Sequence, residues 1–135
     1  MAMFETIYVQ TQGHIQMLDI TAQVQQLITD RQMESGICVV YVPHTTAGIV
    51  VTENRDPFMA VDYTKALYQL IPADSEYRNL EGNFAAHMYA SLVGPSQSFI
   101  VDNGKLALGA WQSIYFMEFD GGRKRKIRIK FMEDQ

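Results

Sequence analysis

Residues 39–54 read VVYVPHTTAGIVVTEN, two apolar runs separated by a short polar turn, and this stretch decides the fold. The β-branched residues of each run predict a strand that buries its side chains. The turn, Pro43-His44-Thr45-Thr46, carries one imidazole and two hydroxyls. Because an imidazole titrates near neutral pH and can bind a metal, we expect a functional site where the first strand ends and the second begins.

The composition predicts a single domain that spans residues 1–135. The chain is 47% hydrophobic with a net charge of -4, and its length fits one domain with a core of its own. One cysteine, Cys38, rules out a disulfide framework and suits a reducing compartment. No apolar run reaches the roughly 20 residues that span a membrane, and the N-terminus lacks the pattern of a signal peptide. We therefore expect a cytoplasmic protein without a membrane partner.

The remaining patterns predict an α+β fold with mainly antiparallel sheets and about three helices. The helices are expected to begin near Thr21, Pro57 and Asn83, with Thr21 and Asn83 as N-caps. Strands are predicted over residues 3–11, 14–19, 37–42, 47–52, 98–102, 105–109, 111–119 and 123–132.

Glycine-containing turns are expected to join several of these strands. Residues 103–104 (Asn-Gly) and 120–122 (Asp-Gly-Gly) predict hairpins, and residues 12–13 (Gln-Gly) predict the hairpin turn between the first two strands. The strand over residues 37–42 is almost wholly apolar, which is typical of a strand covered on both faces.

Two histidines are the first candidates for a site. His44 lies at the end of a predicted strand, and His87 lies in the middle of the third predicted helix. Their separation in the chain fits no local metal-binding motif. The alternative is therefore two unrelated histidines, each hydrogen-bonded in the core or at the surface. His14 lies in a predicted turn, where we expect it to be exposed.

Three acids, Glu53, Asp62 and Glu118, are candidates to orient an imidazole or to act as a general acid or base. Asp62 falls within the apolar stripe of the second helix, on its inward side, where an unpaired acid is costly. Glu118 lies among phenylalanines in a predicted strand. The alternatives are a solvated turn residue for Glu53 and a helix-surface residue for Asp62.

The segment Gly109-Ala110-Trp111-Gln112 contains the only tryptophan of the chain. A glycine beside it in a strand indicates a backbone that another group approaches closely. The alternative is that Trp111 is a bulky residue of the core or of a subunit interface.

A basic segment, RKRKIRIK at residues 123–130, contains six of the 11 lysines and arginines. Alternation along a strand places its lysines on one face, where they are solvated or protect a sheet edge. Arg123 and Arg125 share the other face and are expected to lead into a cleft that holds a phosphate or carboxylate. Nucleic acid is the poorer interpretation, because the net charge is acidic and no RNA-binding motif accompanies the segment.

Taken in order, these residues resemble the YjbQ-like family of small proteins over nearly the whole chain from about Asp19. The matching pieces are PHTTAG at 43–48, EN at 53–54, DP at 56–57, Asp62, EGN at 81–83, AH at 86–87, ASL at 90–92, GPS at 94–96, Gly104, Leu106, LG at 108–109, WQ at 111–112, EFDG at 118–121, Arg123 and Arg125. No single piece is decisive, but the ordered set is highly specific.

The resemblance implies a compact α+β fold, a homotrimer with sites near subunit contacts, and histidines that bind a divalent metal (Zn or Mg) or a small phosphorylated or anionic ligand. It implies a secondary thiamine-phosphate synthase activity, which joins a pyrimidine diphosphate to a thiazole phosphate and releases pyrophosphate, as a weak or side activity. The catalytic residues that it implies are His44, His87, Asp62 and Glu118, with both histidines as metal ligands. The binding residues that it implies are Thr45, Thr46, Asn54, Asn83, Gly109, Trp111, Gln112 and Arg123.

The chain departs from the family pattern at two places. Ala110 replaces the threonine that the family usually has before the tryptophan, and Arg78-Asn79 stands where a third histidine is expected. Because asparagine binds zinc poorly, any metal would be held by two histidines with an acid and water.

Three functions remain open from the sequence. The first is a transferase in which His44, His87 and Arg123 stabilise a departing pyrophosphate. The second is a non-catalytic trimer that binds a metal or a small anionic metabolite. The third, a metal-assisted hydrolase, rests only on the histidine and acid content.

Overall fold

Strands and helices follow the order that the sequence predicts. The structure, a computed structural model, describes residues 4–135, so the predicted start of the first strand at Met3 lies outside the described residues. Within that range the elements are β1 (Glu5–Gln10), β2 (Gln16–Asp19), α1 (Thr21–Asp30), β3 (Gly36–Tyr41), β4 (Ala47–Glu53), α2 (Met59–Leu70), α3 (Phe84–Val93), β5 (Ser96–Asp102), β6 (Lys105–Leu106), β7 (Gln112–Glu118) and β8 (Lys124–Glu133). None of these helices is both long and apolar enough to cross a membrane.

Two antiparallel sheets pack face to face around the main core. One sheet has five strands in the order β1-β8-β3-β5-β6, and the other has three in the order β2-β7-β4. Helix α1 adds Val24 and Ile28 to the space between them. The buried side chains there include Ile20, Cys38, Val40, Ile49, Val101, Ile114, Phe116, Ile127 and Ile129. The predicted α+β fold with mainly antiparallel sheets and three helices is confirmed.

Helices α2 and α3 form a third layer on the other face of the three-stranded sheet. Leu67 of α2 and Tyr89 of α3 pack in one cluster with Met117 and Phe119, at the C-terminal end of β7. The strands β4 and β7 are therefore covered on both faces, by the main core on one side and by the helices on the other.

The prediction that the strand before the polar turn is covered on both faces is wrong. In β3, Cys38 and Val40 face the core, whereas Ile37 and Tyr41 are exposed on the open face of the five-stranded sheet. Residues 37–42 are apolar on both faces of the strand, although residues 4–135 of this copy cover only one of these faces. The doubly covered strand of the pair is β4, in which Ile49 is fully buried.

The prediction that the basic segment forms a strand with its lysines on one exposed face is confirmed. The prediction that these lysines protect a sheet edge is wrong. Arg125, Ile127 and Ile129 are buried, while Lys124 and Lys126 are exposed. However, β8 pairs with β1 on one side and with β3 on the other, so its lysines do not protect an edge.

Two of the three glycine-containing turns connect different sheets. The hairpin at Asn103-Gly104 is confirmed, and both residues have the positive φ that a tight hairpin turn needs (50° and 77°). The interpretation of Gln12-Gly13 and of Asp120-Gly121-Gly122 as hairpin turns is wrong, because β1 and β8 lie in one sheet while β2 and β7 lie in the other.

These two connections run side by side and bind each other. The Gly121 amide donates to the His14 carbonyl (2.9 Å), and the Thr11 amide donates to the Arg123 carbonyl (3.0 Å). A Cβ atom on Gly121 would lie 2.7 Å from the Glu118 side chain. Glycine is thus required here by close packing.

Three local predictions about the helices are wrong. Asp19 Oδ1, and not Thr21, accepts from a free amide at the start of α1 (2.9 Å). Asn83 occupies the N-cap position of α3, but its side chain makes no capping hydrogen bond. Asp62 faces solvent in the first turn of α2 and does not point inward.

Candidate functional site

A cavity of about 640 Å³ opens at the point where β3 ends and β7 passes into β8. The fold brings six predicted site residues to its wall: His44, Thr45, Thr46, Asn83, His87 and Arg123. Other residues on the wall are Tyr41, Glu81, Asp120 and Arg125. Each of three segments therefore contributes to one cavity: the polar turn, the start of α3 and the connection from β7 to β8.

His44 is held in place by the backbone of β8. The Lys126 amide donates a hydrogen bond to His44 Nε2 (3.1 Å). The last residue of β3, Tyr41, pairs with Arg128, so the Lys126 amide lies beyond the end of β3. The imidazole thus takes a hydrogen bond that a longer strand would have taken, and the polar turn gains a fixed orientation.

The same hydrogen bond determines where the His44 proton lies. Because Nε2 accepts from an amide, the proton of the neutral ring is on Nδ1. Burial lowers the pKa of His44 below its usual value, and the nearby Arg125 guanidinium lowers it further. Near neutral pH His44 is therefore an uncharged imidazole that presents an Nδ1–H donor.

Arg125 and Glu118 form a buried ion pair beneath the cavity. Arg125 is 4% exposed and Glu118 is 0% exposed. Arg125 Nε donates to Glu118 Oε1 (2.8 Å), and its Nη2 donates to Glu118 Oε2 and to the Thr46 hydroxyl (2.8 Å). Glu118 also accepts from the Thr11 hydroxyl (2.7 Å) and from the Asp120 amide (3.0 Å).

This network keeps Glu118 ionised. Burial alone would raise the pKa of Glu118, but the hydrogen bonds from Arg125 and Thr11 outweigh burial and leave the pKa below its usual value. A carboxylate with all these donors is an anchor for Arg125. Glu118 is thus placed under the cavity wall, where it holds an arginine in position.

Arg125 has one nitrogen left for a ligand. Its Nε and Nη2 are used within the protein, and Nη1 donates to no acceptor among residues 4–135. Within that range no buried side-chain nitrogen or oxygen lacks a partner, so Nη1 is reached by solvent. Arg125 lines the cavity, so Nη1 is the donor that this side chain can offer to a ligand there.

Arg123 is fixed in a similar way at the cavity wall. Its Nε donates to the Asp120 carbonyl (2.8 Å), and its Nη2 donates to Asp120 Oδ2 (3.2 Å). Asn83 Nδ2 donates to the same carboxylate oxygen (2.9 Å). We call Asn83, Asp120 and Arg123 the bridge, because their side chains join the start of α3 to the connection between β7 and β8.

Asn79, in the position where a third histidine was expected, lies at the start of α3. Its side-chain amide contacts Asn83 Oδ1 at 2.8 Å. In the other amide orientation its oxygen accepts from the backbone amides of Asn83 (3.2 Å) and Phe84 (3.1 Å). The second arrangement satisfies two free amides at the start of the helix, so Asn79 takes the capping role that Asn83 does not, at the cost of placing its oxygen 2.8 Å from Asn83 Oδ1, which is also an acceptor.

The other predicted binding residues form a second cluster. Asn54 donates to Ser113 Oγ (3.0 Å), and the Gly109 amide donates to Gln112 Oε1 (2.9 Å). The guanidinium of Arg55 lies 4.6 Å from the ring centre of Trp111, which is largely exposed. This cluster lies at the opposite end of the β4–β7 pair, roughly 20 Å from the polar turn. Asp62 lines neither region.

The residues at the cavity do not fit a metal ion held by three side chains of one copy. Among residues 4–135 no three His, Cys, Asp or Glu side chains lie close enough to share an ion. In addition, neutral His44 has no free lone pair, since Nδ1 carries the proton and Nε2 accepts from Lys126. A metal held by His44 and His87 with water stays a prediction, and it requires that His44 give up the hydrogen bond from Lys126.

Two residues that shape the site, Arg125 and Asp120, were not among the catalytic and binding residues that the resemblance implies. Arg125 carried a signal, because strand alternation placed it on the inward face beside isoleucines. Asp120 was interpreted as a turn residue, although it belongs to the EFDG piece that matches the family pattern. Its role follows from a contact with Asn83, 37 residues earlier in the chain.

Comparison with known proteins gives a consistent family. A family model described as "UPF0047 protein YjbQ-like" matches residues 5–134. UPF0047 protein YugU of Bacillus subtilis is 45% identical over 96% of this chain and 99% of its own length. UPF0047 protein MJ1081 of Methanocaldococcus jannaschii is 43% identical over 94% of this chain and 92% of its own length.

A solved structure agrees with these relatives. The crystal structure of an uncharacterised YjbQ/UPF0047 protein from Clostridium acetobutylicum superposes with a TM-score of 0.92 at 43% identity, covering 95% of this chain and 99% of that one. The resemblance seen in the sequence is thus confirmed by the family model, by the relatives and by the fold. The chain belongs to the UPF0047 (YjbQ-like) family.

Proposed function

We propose that the cavity binds a small phosphorylated ligand and that its phosphate lies between Arg125, Arg123 and His44. The observation that carries this proposal is the free Nη1 of Arg125, a donor on a side chain that is otherwise buried and fixed. A buried guanidinium loses much of its hydration, so an anion that reaches it gains a strong hydrogen bond.

The neighbouring groups supply further donors to the same anion. Arg123 keeps its Nη1 for a ligand, because its other nitrogens are bound to Asp120. His44 offers Nδ1–H, and Thr45 is exposed at the mouth of the cavity. These donors are held before the ligand arrives, so little ordering is needed on binding.

The reaction to test first is the one that the family resemblance implies, formation of thiamine phosphate with release of pyrophosphate. Fixed donors that face a departing pyrophosphate stabilise the charge that develops on it. In this assignment Arg123, Arg125 and His44 bind the leaving group, and His87 lies on the wall from the start of α3. Glu118 acts through Arg125, as a positioning residue.

Anion binding is tested by calorimetric titration with pyrophosphate. Arg123→Gln removes one fixed donor and one charge, so the affinity is expected to fall about tenfold or more. Lys130→Gln is the matched control, because it removes the same charge from an exposed position of β8 that does not line the cavity. Equal losses in the two variants would mean that net charge alone attracts pyrophosphate, and the proposed site would be wrong.

Catalysis is tested with the pure protein, a pyrimidine diphosphate and a thiazole phosphate. His44→Ala and His87→Ala are expected to lower the rate of pyrophosphate release, with elemental analysis of the same samples for zinc and magnesium. Unchanged rates in both variants would remove the histidines from the mechanism. A metal that is retained in wild type and lost in both variants would support the two-histidine site.

The second candidate is a binding protein without catalysis. It is favoured by the state of Glu118, whose buried carboxylate is bound to Arg125 and is not free to act as a general base. This candidate predicts that pyrophosphate raises the melting temperature while no thiamine phosphate forms. The homotrimer and the cytoplasmic location also stay predictions.

A further inference from the structure

Four cations form a row on the open face of the five-stranded sheet. Alternation along β8 places these side chains on this face, and we call them the basic row: Lys124, Lys126, Arg128 and Lys130. Neighbours in the row are about 7 Å apart along the strand. Because β8 lies between β1 and β3, the row does not protect a sheet edge. Among residues 4–135 none of the four forms an ion pair, so their mutual repulsion would be relieved by an anionic partner.

The strands around the basic row contribute no acidic side chain to this face. The strands β1, β3 and β8 contain two acids, Glu5 and Glu133, and alternation places both on the side of the core. On that side Glu5 lies 3.8 Å from Arg31. The net charge of -4, which disfavours nucleic acid when it is taken for the whole chain, is therefore unevenly distributed. This part of the sheet face is strongly positive.

Three exposed aromatic rings lie among these cations. Lys124 Nζ lies 5.2 Å from the ring centre of Tyr8, and the guanidinium of Arg128 lies 5.2 Å from the ring centre of Phe4. On the other side of β8, Tyr41 pairs in register with Arg128. The side chain of Tyr8 is 64% exposed, and those of Phe4 and Tyr41 are each 42% exposed. Rings and cations that alternate on one surface suit single-stranded nucleic acid, because its bases stack on the rings while its phosphates pair with the cations.

We propose that this basic and aromatic end of the open sheet face binds single-stranded nucleic acid. The phosphates lie along the basic row, whose length of roughly 20 Å accommodates about four nucleotides. The apolar end of the same face begins at Met132, about 14 Å beyond Arg128 along β8, and takes no part. The basic row lines neither the first cavity nor the second one of about 420 Å³ beside it, so the proposal is independent of the proposed function.

The experiment measures fluorescence anisotropy with three labelled oligomers of twelve nucleotides: oligo(dT), oligo(U), and an abasic strand with the same deoxyribose-phosphate backbone. Oligo(dT) and oligo(U) are expected to bind about tenfold more tightly than the abasic strand, because only they have bases to stack. The logarithm of the affinity is expected to fall with the logarithm of the salt concentration with a slope of roughly -3, for four phosphate contacts. Equal affinities for oligo(dT) and the abasic strand would overturn the proposal.

Tyr8→Ala tests the stacking of bases. The affinity for oligo(dT) is expected to fall about tenfold, while that for the abasic strand stays as in wild type. Phe58→Ala is the matched control, because Phe58 is 67% exposed and lies at the start of α2, away from this face. Unchanged binding of oligo(dT) by Tyr8→Ala would place the bases elsewhere and overturn the proposed surface.

Lys126→Gln tests the contact with phosphates. It is expected to make the salt slope less steep by about 0.7, because one phosphate contact is lost. Lys65→Gln removes the same charge from an exposed position of α2 and is expected to leave the slope unchanged. Equal changes in the two variants would mean that net charge alone attracts the strand, which would overturn the proposal.

Two further measurements exclude other anionic partners of this face. Pyrophosphate at constant ionic strength is expected to leave oligo(dT) bound, and displacement would place the strand in the first cavity instead. Sedimentation with phosphatidylserine vesicles tests a lipid surface. Binding to the vesicles without binding to oligo(dT) or oligo(U) would assign the basic row to a membrane and overturn the proposal.

Discussion

At the scale of single residues, the buried pair of Glu118 and Arg125 determines whether the cavity keeps its fixed cation. Glu118→Gln would leave the Arg125 charge buried without its counter-charge, and breaking such a pair costs several kcal/mol. We expect the free energy of unfolding to fall by about 3 kcal/mol at neutral pH. Urea denaturation measures this, and Glu76→Gln in the exposed loop is the control.

The same substitution is expected to change the pH dependence of stability. The pKa of Glu118 in the folded chain lies below its usual value, so ionised Glu118 stabilises the fold above the unfolded pKa. That contribution is lost as the pH falls through the folded pKa. The difference between wild type and Glu118→Gln should therefore narrow as the pH drops from about 5 towards 3. A constant difference over this range would contradict the ionised state of Glu118.

Asn79 gives a second prediction at this scale. Its side chain caps α3, and removal of such a cap costs about 1 kcal/mol. We expect Asn79→Ala to lower the free energy of unfolding by that amount in urea denaturation. Arg78→Ala, at the preceding exposed position, is the control. Equal stability of Asn79→Ala and wild type would mean that the amide does not face the helix.

The residues of the site differ in how far the sequence could predict them. His44 was recognisable because a polar turn between two apolar runs has few structural reasons to hold an imidazole. Arg125 followed from strand alternation. The anchoring role of Glu118 was not predictable, because Arg125 lies on a strand of the other sheet, Thr11 follows the end of β1, and the contact with Thr11 spans 107 residues.

At the scale of elements, the connections between the sheets place the cavity. The order and type of the helices and strands followed from periodicity, yet the turns at residues 12–13 and 120–122 were interpreted as hairpins. Local turn chemistry cannot distinguish a hairpin from a crossing between sheets, because the same glycines serve both. The difference depends on which strand β8 pairs with, and both of its partners are distant in sequence.

A substitution at Gly121 tests how tightly the β1–β2 and β7–β8 connections pack against each other. A Cβ atom there would lie 2.9 Å from Thr11 Oγ1 and 2.7 Å from the Glu118 side chain. Gly121→Ala is expected to cost about 2 kcal/mol of stability and to weaken pyrophosphate binding, because Asp120 and Arg123 would shift. Gly109→Ala is the control for stability, since a Cβ there makes only ordinary contacts. Thermal melting with and without pyrophosphate measures both effects, and a normal Gly121→Ala variant would contradict the close packing.

At the scale of the whole molecule, the predicted binding residues divide into two groups. The polar turn and the bridge lie at one end of the β4–β7 pair, and Asn54, Trp111 and Gln112 lie at the other. The family resemblance implies both groups as binding residues, because matching sequence motifs does not show how far apart the residues lie in the fold. Within one copy of the chain they do not share a cavity.

The open face of the five-stranded sheet is where we expect copies of the chain to meet. Met132, Ile37 and Ile100 are neighbours in register across three strands of this face, and all three are exposed. An apolar patch of adjacent strands that no residue from 4 to 135 covers is typical of an interface between subunits. The homotrimer implied by the family resemblance would cover this patch.

Ile100→Lys is therefore expected to convert the assembly into monomers, because three buried lysine charges would lie at the contacts. Val61→Lys on α2 is a matched control, since Val61 and Ile100 are each 66% exposed. Light scattering after size-exclusion chromatography gives the molar mass, expected at three copies for wild type and Val61→Lys. If Ile100→Lys remains a trimer and Val61→Lys becomes a monomer, the interface lies on the helical layer instead. If the wild-type protein is a monomer, the predicted trimer is wrong.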